Sequence, residues 1–447
     1  MKKSKLLQWS VVAALAGFLF GFDTVVISGA NQPIRDLWHT SDLFHGVFIM
    51  SMALWGTVAG ALFGGIPSEK YGRKKVLFWI GILYSVSAIG TAIAPDPYTF
   101  SFFRFLGGIG IGVSSVVVPT YISEISTSKV RGRLGAMYQF NIVFGILIAY
   151  VSNYLLKGFQ GSNDWRWMLG VSAIPSFIYT IMAISLPESP RWLITKKNDI
   201  ATAENILHQI GVADVKAEVA TILAANAQVN TMESTSRFFS GKYTRPIMLA
   251  FLIAFFNQLS GINFILYYAP QILENAGLSA KDSLFNSIAI GGTNLIFTFV
   301  GLYLIDRMGR RKLLIIGSLG YIISLAMVAW GFCAKSNPGF IMSWLLLFIA
   351  SHAIGQGAVI WVFISEIFPN KVRALGQSFG ASVHWVFAAL ITLLGPVVID
   401  RFDTQREVIF GFFAFMMVLQ LIWVLTKVPE TKGVTLEELE KKMMENN

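Results

Sequence analysis

The chain has 447 residues, of which 54% are hydrophobic and only 13% charged, and its mean hydropathy is +0.61. This excludes a soluble multidomain protein, whose surface needs more charge, and a disordered chain, which cannot be so apolar. The net charge is +10, but the basic residues sit in short clusters between long apolar runs, a membrane pattern and not a nucleic-acid-binding one. The single cysteine, Cys333, excludes an intrachain disulfide and a cysteine metal site, and is expected to be a small core residue.

The basic start Met1–Lys5 and the apolar run Leu6–Phe22 resemble a signal peptide. The run continues past Asp23 to Ala30 without a small-x-small cleavage site, so a retained first span is expected. A bilayer-crossing helix needs about 20 mostly apolar residues. Twelve such segments follow one another, near 7–31, 44–66, 75–94, 99–123, 133–156, 165–186, 245–271, 283–305, 312–333, 341–367, 375–399 and 406–427. The polar stretch 187–244 separates the sixth from the seventh. There Ala203, Ile206, Leu207 and Ile210 recur at helical spacing, predicting short amphipathic helices outside the membrane. The expected organisation is a six-span bundle over 1–186, a helical linker over 187–244, a second six-span bundle over 245–427 and a tail over 428–447. Basic residues concentrate in the loops that share a side with both termini, which places the termini, the linker and the tail in the cytoplasm.

The two halves repeat each other. Ile122-Ser123-Glu124-Ile125 recurs as Ile364-Ser365-Glu366-Ile367, 242 positions later, and Arg131 and Arg373 share that offset. Pro187-Glu188-Ser189 is matched by Pro429-Glu430-Thr431. The cluster Glu69-Lys70-Tyr71-Gly72-Arg73-Lys74-Lys75 is matched by Asp306-Arg307-Met308-Gly309-Arg310-Arg311-Lys312, 237 positions later. Four matches in one order indicate duplication. Six spans per half is an even number, so the halves are parallel, the arrangement of a secondary transporter with its substrate site between them at mid-depth. Glu69, Arg73, Glu124, Arg131, Glu188, Arg191, Asp306, Arg310, Arg311, Glu366, Arg373 and Glu430 all fall on the cytoplasmic side. Arginine binds carboxylates through two parallel hydrogen bonds. The expectation is an interdomain salt-bridge latch that holds this side shut when the protein faces outward.

These motifs carry a family resemblance. Gly64-Gly65 with Gly72-Arg73-Lys74, Pro119-Thr120-Tyr121, Trp165-Arg166, Pro187-Glu188-Ser189-Pro190-Arg191, Gln258-Leu259-Ser260-Gly261-Ile262-Asn263, Glu366-Ile367-Phe368-Pro369 and Pro429-Glu430-Thr431 run through nearly the whole chain. The sequence resembles the sugar porter family of the major facilitator superfamily. The resemblance implies an all-α membrane protein of twelve transmembrane helices in two parallel six-helix bundles with a cytoplasmic helical linker.

A monosaccharide presents many hydroxyls and an apolar ring face, so its site needs amides and flat aromatic surface. Polar and aromatic residues inside the spans supply them: Gln139 in the first half, and Asn257, Gln258, Asn263, Asn294, Trp361, His384 and Trp385 in the second. The resemblance implies sugar contacts at Gln139, Gln258, Asn263, Asn294, Trp361 and Trp385, an aromatic lining at Phe20 and an outer gate at Tyr267 and Tyr268. It departs from the family at Asn257, where Gln is usual, and at His384, where Gln or Asn is frequent. Gly261 is expected to break the seventh helix. His352, in the tenth span, reads equally as a helix contact and as a site residue.

Asp23 lies inside the first span, where a carboxylate is costly and calls for a named partner. Arg104 of the fourth span is that partner. Arginine stabilises the charged form and burial the neutral acid, so the pair is read as the proton-coupling site. In the family, symporters carry Asp here and passive facilitators typically Asn. The expectation is therefore a proton-coupled monosaccharide symporter, hexose first and pentose behind, with no cofactor beyond the proton and no metal. A passive facilitator is the nearest alternative, a transporter-like sugar sensor the next. A membrane enzyme or a drug antiporter fits the residues less well. The expected setting is a bacterial inner membrane, with the sugar, protons and lipid as partners, no nucleic acid, and a monomer.

Overall fold

In a computed structural model the described residues are 2–127, 130–228, 238–239, 241–369 and 371–434, and all regular structure among them is helical. Among the described residues eleven helices are each long and apolar enough to cross a membrane. A bent pair, Asp42–Met50 with Met52–Phe63, makes a twelfth span. The others are Lys5–Trp38, Arg73–Ile93, Pro97–Ile125, Gly132–Leu156 and Gly161–Ile184 in the first half. Thr244–Asn275, Ala280–Met308, Arg310–Cys333, Pro338–Ile367, Arg373–Arg401 and Arg406–Lys427 form the second. They are numbered one to twelve below in chain order.

The order of spans follows the expectation, and the largest difference is at the first. It runs on through Gln32 and Pro33 to Trp38, beyond the expected end near Asn31. Asn31 is buried there, and its amide donates to Gln271 Oε1 at 3.0 Å, so the polar residue is satisfied inside the helix. Between spans six and seven lie Pro190–Trp192, Ile200–Ile210 and Val215–Gln228. Ala203, Ile206, Leu207 and Ile210 are buried, as their spacing predicts, and Asp199 caps the middle helix by accepting from Thr202 N at 3.1 Å. Cys333 corrects the expectation of a core residue: it is exposed, at the last residue of span nine. The tail beyond 434 lies outside the described residues.

By contact the chain forms two compact units. One comprises Met1–Thr24, Trp55–Ile146 and Leu169–Met232; the other Val25–Leu54, Leu147–Met168 and Glu233–Asn447. The second unit ties the ends of spans one, two and five to spans seven and eleven. Tyr150 donates to Leu266 O at 2.8 Å, and Asn153 to Val26 O at 3.1 Å. His45 joins Thr40 to Asn31, both at 2.8 Å. At Gly46 an added Cβ would stand 1.9 Å from the Leu393 carbonyl oxygen, so that helix contact needs glycine.

Span seven is broken where expected. The helix Thr244–Leu259 ends at Ser260, Gly261 has φ +85°, and a new helix runs Ile262–Asn275. The left-handed turn suits glycine, and a side chain there would also meet the Phe413 ring at 2.8 Å.

Candidate functional site

In the second unit the break at Gly261 brings amides together. Asn263 donates to Gln258 Oε1 at 2.7 Å, and Gln258 donates to Asn257 Oδ1 at 2.9 Å. His384, from span eleven, lies 3.2 Å from Gln258 Nε2 through its nearer ring nitrogen. The His384 ring is edge-on to Trp385 with centroids 4.8 Å apart, and 4.9 Å from the ring of Trp361. Asn257, Gln258, His384 and Trp385 are buried, whereas Trp361 is 39% exposed. Hydrogen-bonding amides thus stand beside flat aromatic faces, the chemistry a polyhydroxylated ring requires.

Four other expected residues of this unit are placed differently. Asn294 is buried on span eight, but among the described residues no hydrogen bond joins it to the cluster. Tyr268 is buried and donates to Thr392 O at 2.7 Å, and Tyr267 is buried beside it. His352 accepts or donates at 2.6 Å with the Tyr321 hydroxyl, a helix contact. In the first unit, Phe20 is buried on span one and Gln139 half-buried on span five.

The first unit also contains the expected ion pair. Arg104 Nη1 donates to Asp23 Oδ1 at 2.8 Å and Nη2 to the Asp23 carbonyl at 3.2 Å. Both residues are buried. Asp23 Oδ2, Arg104 Nε and the nearby Ser87 hydroxyl make no hydrogen bond among the described residues. A Cβ on Gly107 would come 2.4 Å from Ser87 Oγ and 3.8 Å from Asp23 Oδ2, so glycine there lets Ser87 pack close beside the acid.

The duplicated charged motifs form two clusters of one design. Arg73 grips Glu124 with Nε at 2.9 Å and Nη2 at 3.0 Å, and Glu69 with Nη2 at 2.6 Å. Arg310 grips Glu366 with Nε at 3.0 Å and Nη2 at 2.7 Å, with Asp306 at 3.4 Å. Glu188 accepts from the backbone N–H groups of Arg73 and Lys74 at 2.8 and 3.2 Å. Glu430 does the same for Arg310 and Arg311, at 2.9 and 3.1 Å. A carboxylate thus caps the N-terminus of spans three and nine, where the helix dipole favours negative charge. Burial pushes the Glu188 carboxyl above the usual carboxylate range, against the pull of the Ser189, Lys74 and Arg73 backbone N–H groups.

Each ion pair recorded among these residues lies within one half. The local geometry explains this. Gly72 and Gly309 have φ +95° and +90°, and a Cβ would stand 2.2 and 2.5 Å from the Glu188 and Glu430 carboxylates. The turn turns the following arginine back onto its own repeat. Arg311 bonds the Leu425 carbonyl at 2.6 Å instead of an acid. Arg191 is exposed without an ion pair among the described residues, Arg373 opens span eleven, and the Arg131 side chain lies outside the described residues.

Residues the sequence reading passed over complete the second unit. Gln356 and Gln420 are fully buried in spans ten and twelve, and Gln356 Nε2 donates to Gln420 Oε1 at 2.9 Å. They meet the criterion that selected the other amides, an uncharged polar side chain inside an apolar span.

The sugar (and other) transporter family profile matches residues 9–443. The arabinose-proton symporter of Bacillus subtilis is 34% identical over 439 residues, covering 97% of this chain and 94% of its own. The galactose-proton symporter of Escherichia coli K12 is also 34% identical, over 445 residues, covering 97% of this chain and 93% of its own. Among solved structures, the xylose transporter XylE of E. coli in a partially occluded inward-open conformation superposes with a TM-score of 0.86. It is 29% identical and covers 97% of this chain and 100% of that one.

Proposed function

Because the chain belongs to the sugar porter family of the major facilitator superfamily, we propose that it carries a monosaccharide and a proton together across the membrane by alternating access. The observation that carries symport is the half-occupied carboxylate of Asp23. One oxygen is held by Arg104, and the other is free to take a proton without breaking that bond. The sugar is read by Asn257, Gln258, Asn263, His384, Trp361 and Trp385, with Asn294 completing the contacts from its own span. The two relatives at equal identity carry a pentose in one case and a hexose in the other. The amides and histidine of this chain are read as a hexose site.

In the proposed cycle, protonated Asp23 and bound sugar travel together, and the acid releases its proton to the side of lower proton activity. Tyr267 and Tyr268 gate the outer side. Opening that side breaks the bonds of Tyr150 to Leu266 and of Asn31 to Gln271. The arginine–glutamate clusters brace the helix ends that move on the opposite side, where the termini and linker face the cytoplasm of a bacterial inner membrane. The working unit is a monomer with the repeat boundary at the linker 187–244.

The test is uptake of radiolabelled D-galactose, D-glucose, D-fructose, D-xylose and L-arabinose into proteoliposomes, with and without an inward proton gradient. Symport of a hexose gives uphill accumulation only with the gradient, and strongest competition from a hexose. Equal downhill uptake under both conditions would make the protein a passive facilitator.

A further inference from the structure

The amide cluster is the end of a longer hydrogen-bonded chain whose direction is fixed at its far end. On span nine, the buried Ser318 hydroxyl donates to the Leu314 carbonyl at 2.7 Å. A hydroxyl has one proton, so toward any other partner it is an acceptor. Gln420 must therefore turn its NH₂ to Ser318, which it does at 2.8 Å. Its carbonyl is left to accept from Gln356 Nε2 at 2.9 Å. The Gln356 carbonyl in turn faces Asn257 Nδ2, at 3.5 Å the longest step. Asn257 accepts from Gln258, and Gln258 from Asn263, as described above. Every link runs in the same sense, from Asn263 on span seven through spans ten and twelve to span nine.

We propose that Ser318, Gln420 and Gln356 are positioning residues that fix which hydrogen-bonding face the Asn257–Gln258–Asn263 cluster presents, and thereby set sugar selectivity. This rests on reading that cluster as the sugar site. With the chain in its recorded sense, Gln258 uses both N–H bonds, on Asn257 and His384, and one carbonyl lone pair on Asn263. What remains for a sugar is an acceptor, so Gln258 reads a hydroxyl that donates. Asn263 keeps one N–H and its carbonyl, and reads hydroxyls in either role. Loss of the far anchor frees Gln420, then Gln356 and Asn257, to rotate their amides. A donor then replaces the acceptor in part of the population. Sugars that differ only in the direction of one hydroxyl feel this unequally, while the bulk of the site is untouched.

The experiment measures equilibrium binding of D-galactose and D-glucose, which differ only in the direction of the C4 hydroxyl, to the purified full chain, and takes the ratio of the two Kd values. Ser318→Ala and Gln420→Met are expected to change that ratio by about threefold to tenfold. Ser318→Thr, which restores the hydroxyl, is expected to keep the parent ratio. A merely structural role would weaken both sugars alike. An unchanged ratio in Ser318→Ala and Gln420→Met, or a uniform loss for both sugars, overturns the proposal. Should Gln420→Met not fold, the pair of serine variants decides. Asn263→Ala, measured alongside, separates the two readings. If it loses both sugars while the relay variants keep the parent ratio, only the relay falls. If it binds both as the parent does, the sugar-site reading falls, and the relay with it.

Discussion

Asp23 accepts from Arg104 Nη1 on Oδ1 at 2.8 Å and keeps Oδ2 without a hydrogen bond among the described residues. A buried arginine with a fully occupied carboxylate would be a structural pair. One with an open oxygen can be loaded. Asp23→Asn removes the titrating group and keeps the shape. The variant is expected to bind sugar and exchange it, yet to lose accumulation against a gradient. With one proton per sugar, a one-unit pH gradient supports up to about tenfold accumulation. Concentrative uptake in proteoliposomes at matched expression measures this, and accumulation equal to the parent's would move the proton site elsewhere.

Trp385 is buried against His384 and supplies the flat face of the cluster. Trp385→Ala is expected to weaken sugar binding by about tenfold or more, roughly 1.4 kcal/mol, with the protein still folded. Equilibrium dialysis of the purified variant reads the loss directly. Binding at parent affinity would remove Trp385 from the site.

His384 accepts from, or shares a proton with, the Gln258 amide, and a glutamine there can still accept. His384→Gln is expected to reorder hexoses in a competition assay without abolishing uptake. An unaltered order would make the histidine a packing residue.

Gly72 and Gly309 hold the same left-handed turn beside a carboxylate. Alanine at either place adds a Cβ where a glutamate oxygen stands and strains the backbone, at a cost of about 1–3 kcal/mol each. Gly65→Ala is the control, because its Cβ meets nothing within 4 Å. Thermal unfolding in detergent should lower the midpoint for the first two and leave the third unchanged or slightly raised. Equal midpoints for all three would show that the turn relaxes without loss.

Burial holds the Glu188 carboxyl above its ordinary value of 4.5. A raised carboxyl contributes stability while protonated, and that contribution is lost as pH rises through the folded-state value. Stability measured upward from about pH 4.5 should therefore contain a falling component. Glu188→Gln is expected to flatten it, since the amide does not titrate. A parent and variant with parallel midpoint curves over that range would contradict the assignment.

The spans were legible in the sequence because apolar runs of membrane length leave little choice. So were the break at Gly261 and the Asp23–Arg104 pair, since a charge inside such a run needs an opposite charge. The end of span one was not legible. The apolar run ends at Ala30, and only Gln271 and His45, distant in sequence, satisfy Asn31 inside a helix. The partners of the duplicated arginines were hidden for a similar reason. The motif states that Arg73 and Glu124 belong together, but the direction in which Gly72 turns the chain is a matter of backbone angle. Gln356 and Gln420 were visible as types and invisible as neighbours, since nothing local aligns span ten with span twelve.

The break in span seven has a further meaning when set beside span one. The offsets that relate the two halves, 237 to 242, carry the stretch around Asp23 onto the stretch around Gly261, while span one runs as unbroken helix through Asp23. Duplication gave both copies the same stretch. One copy came to hold a charge there and the other a bend. The ancestral symmetry has been divided into two trades, an ionisable site on an unbroken helix and a joint without a charge. Making the copies alike again would give the protein either two joints or two acids, and with them a different stoichiometry of motion to protons.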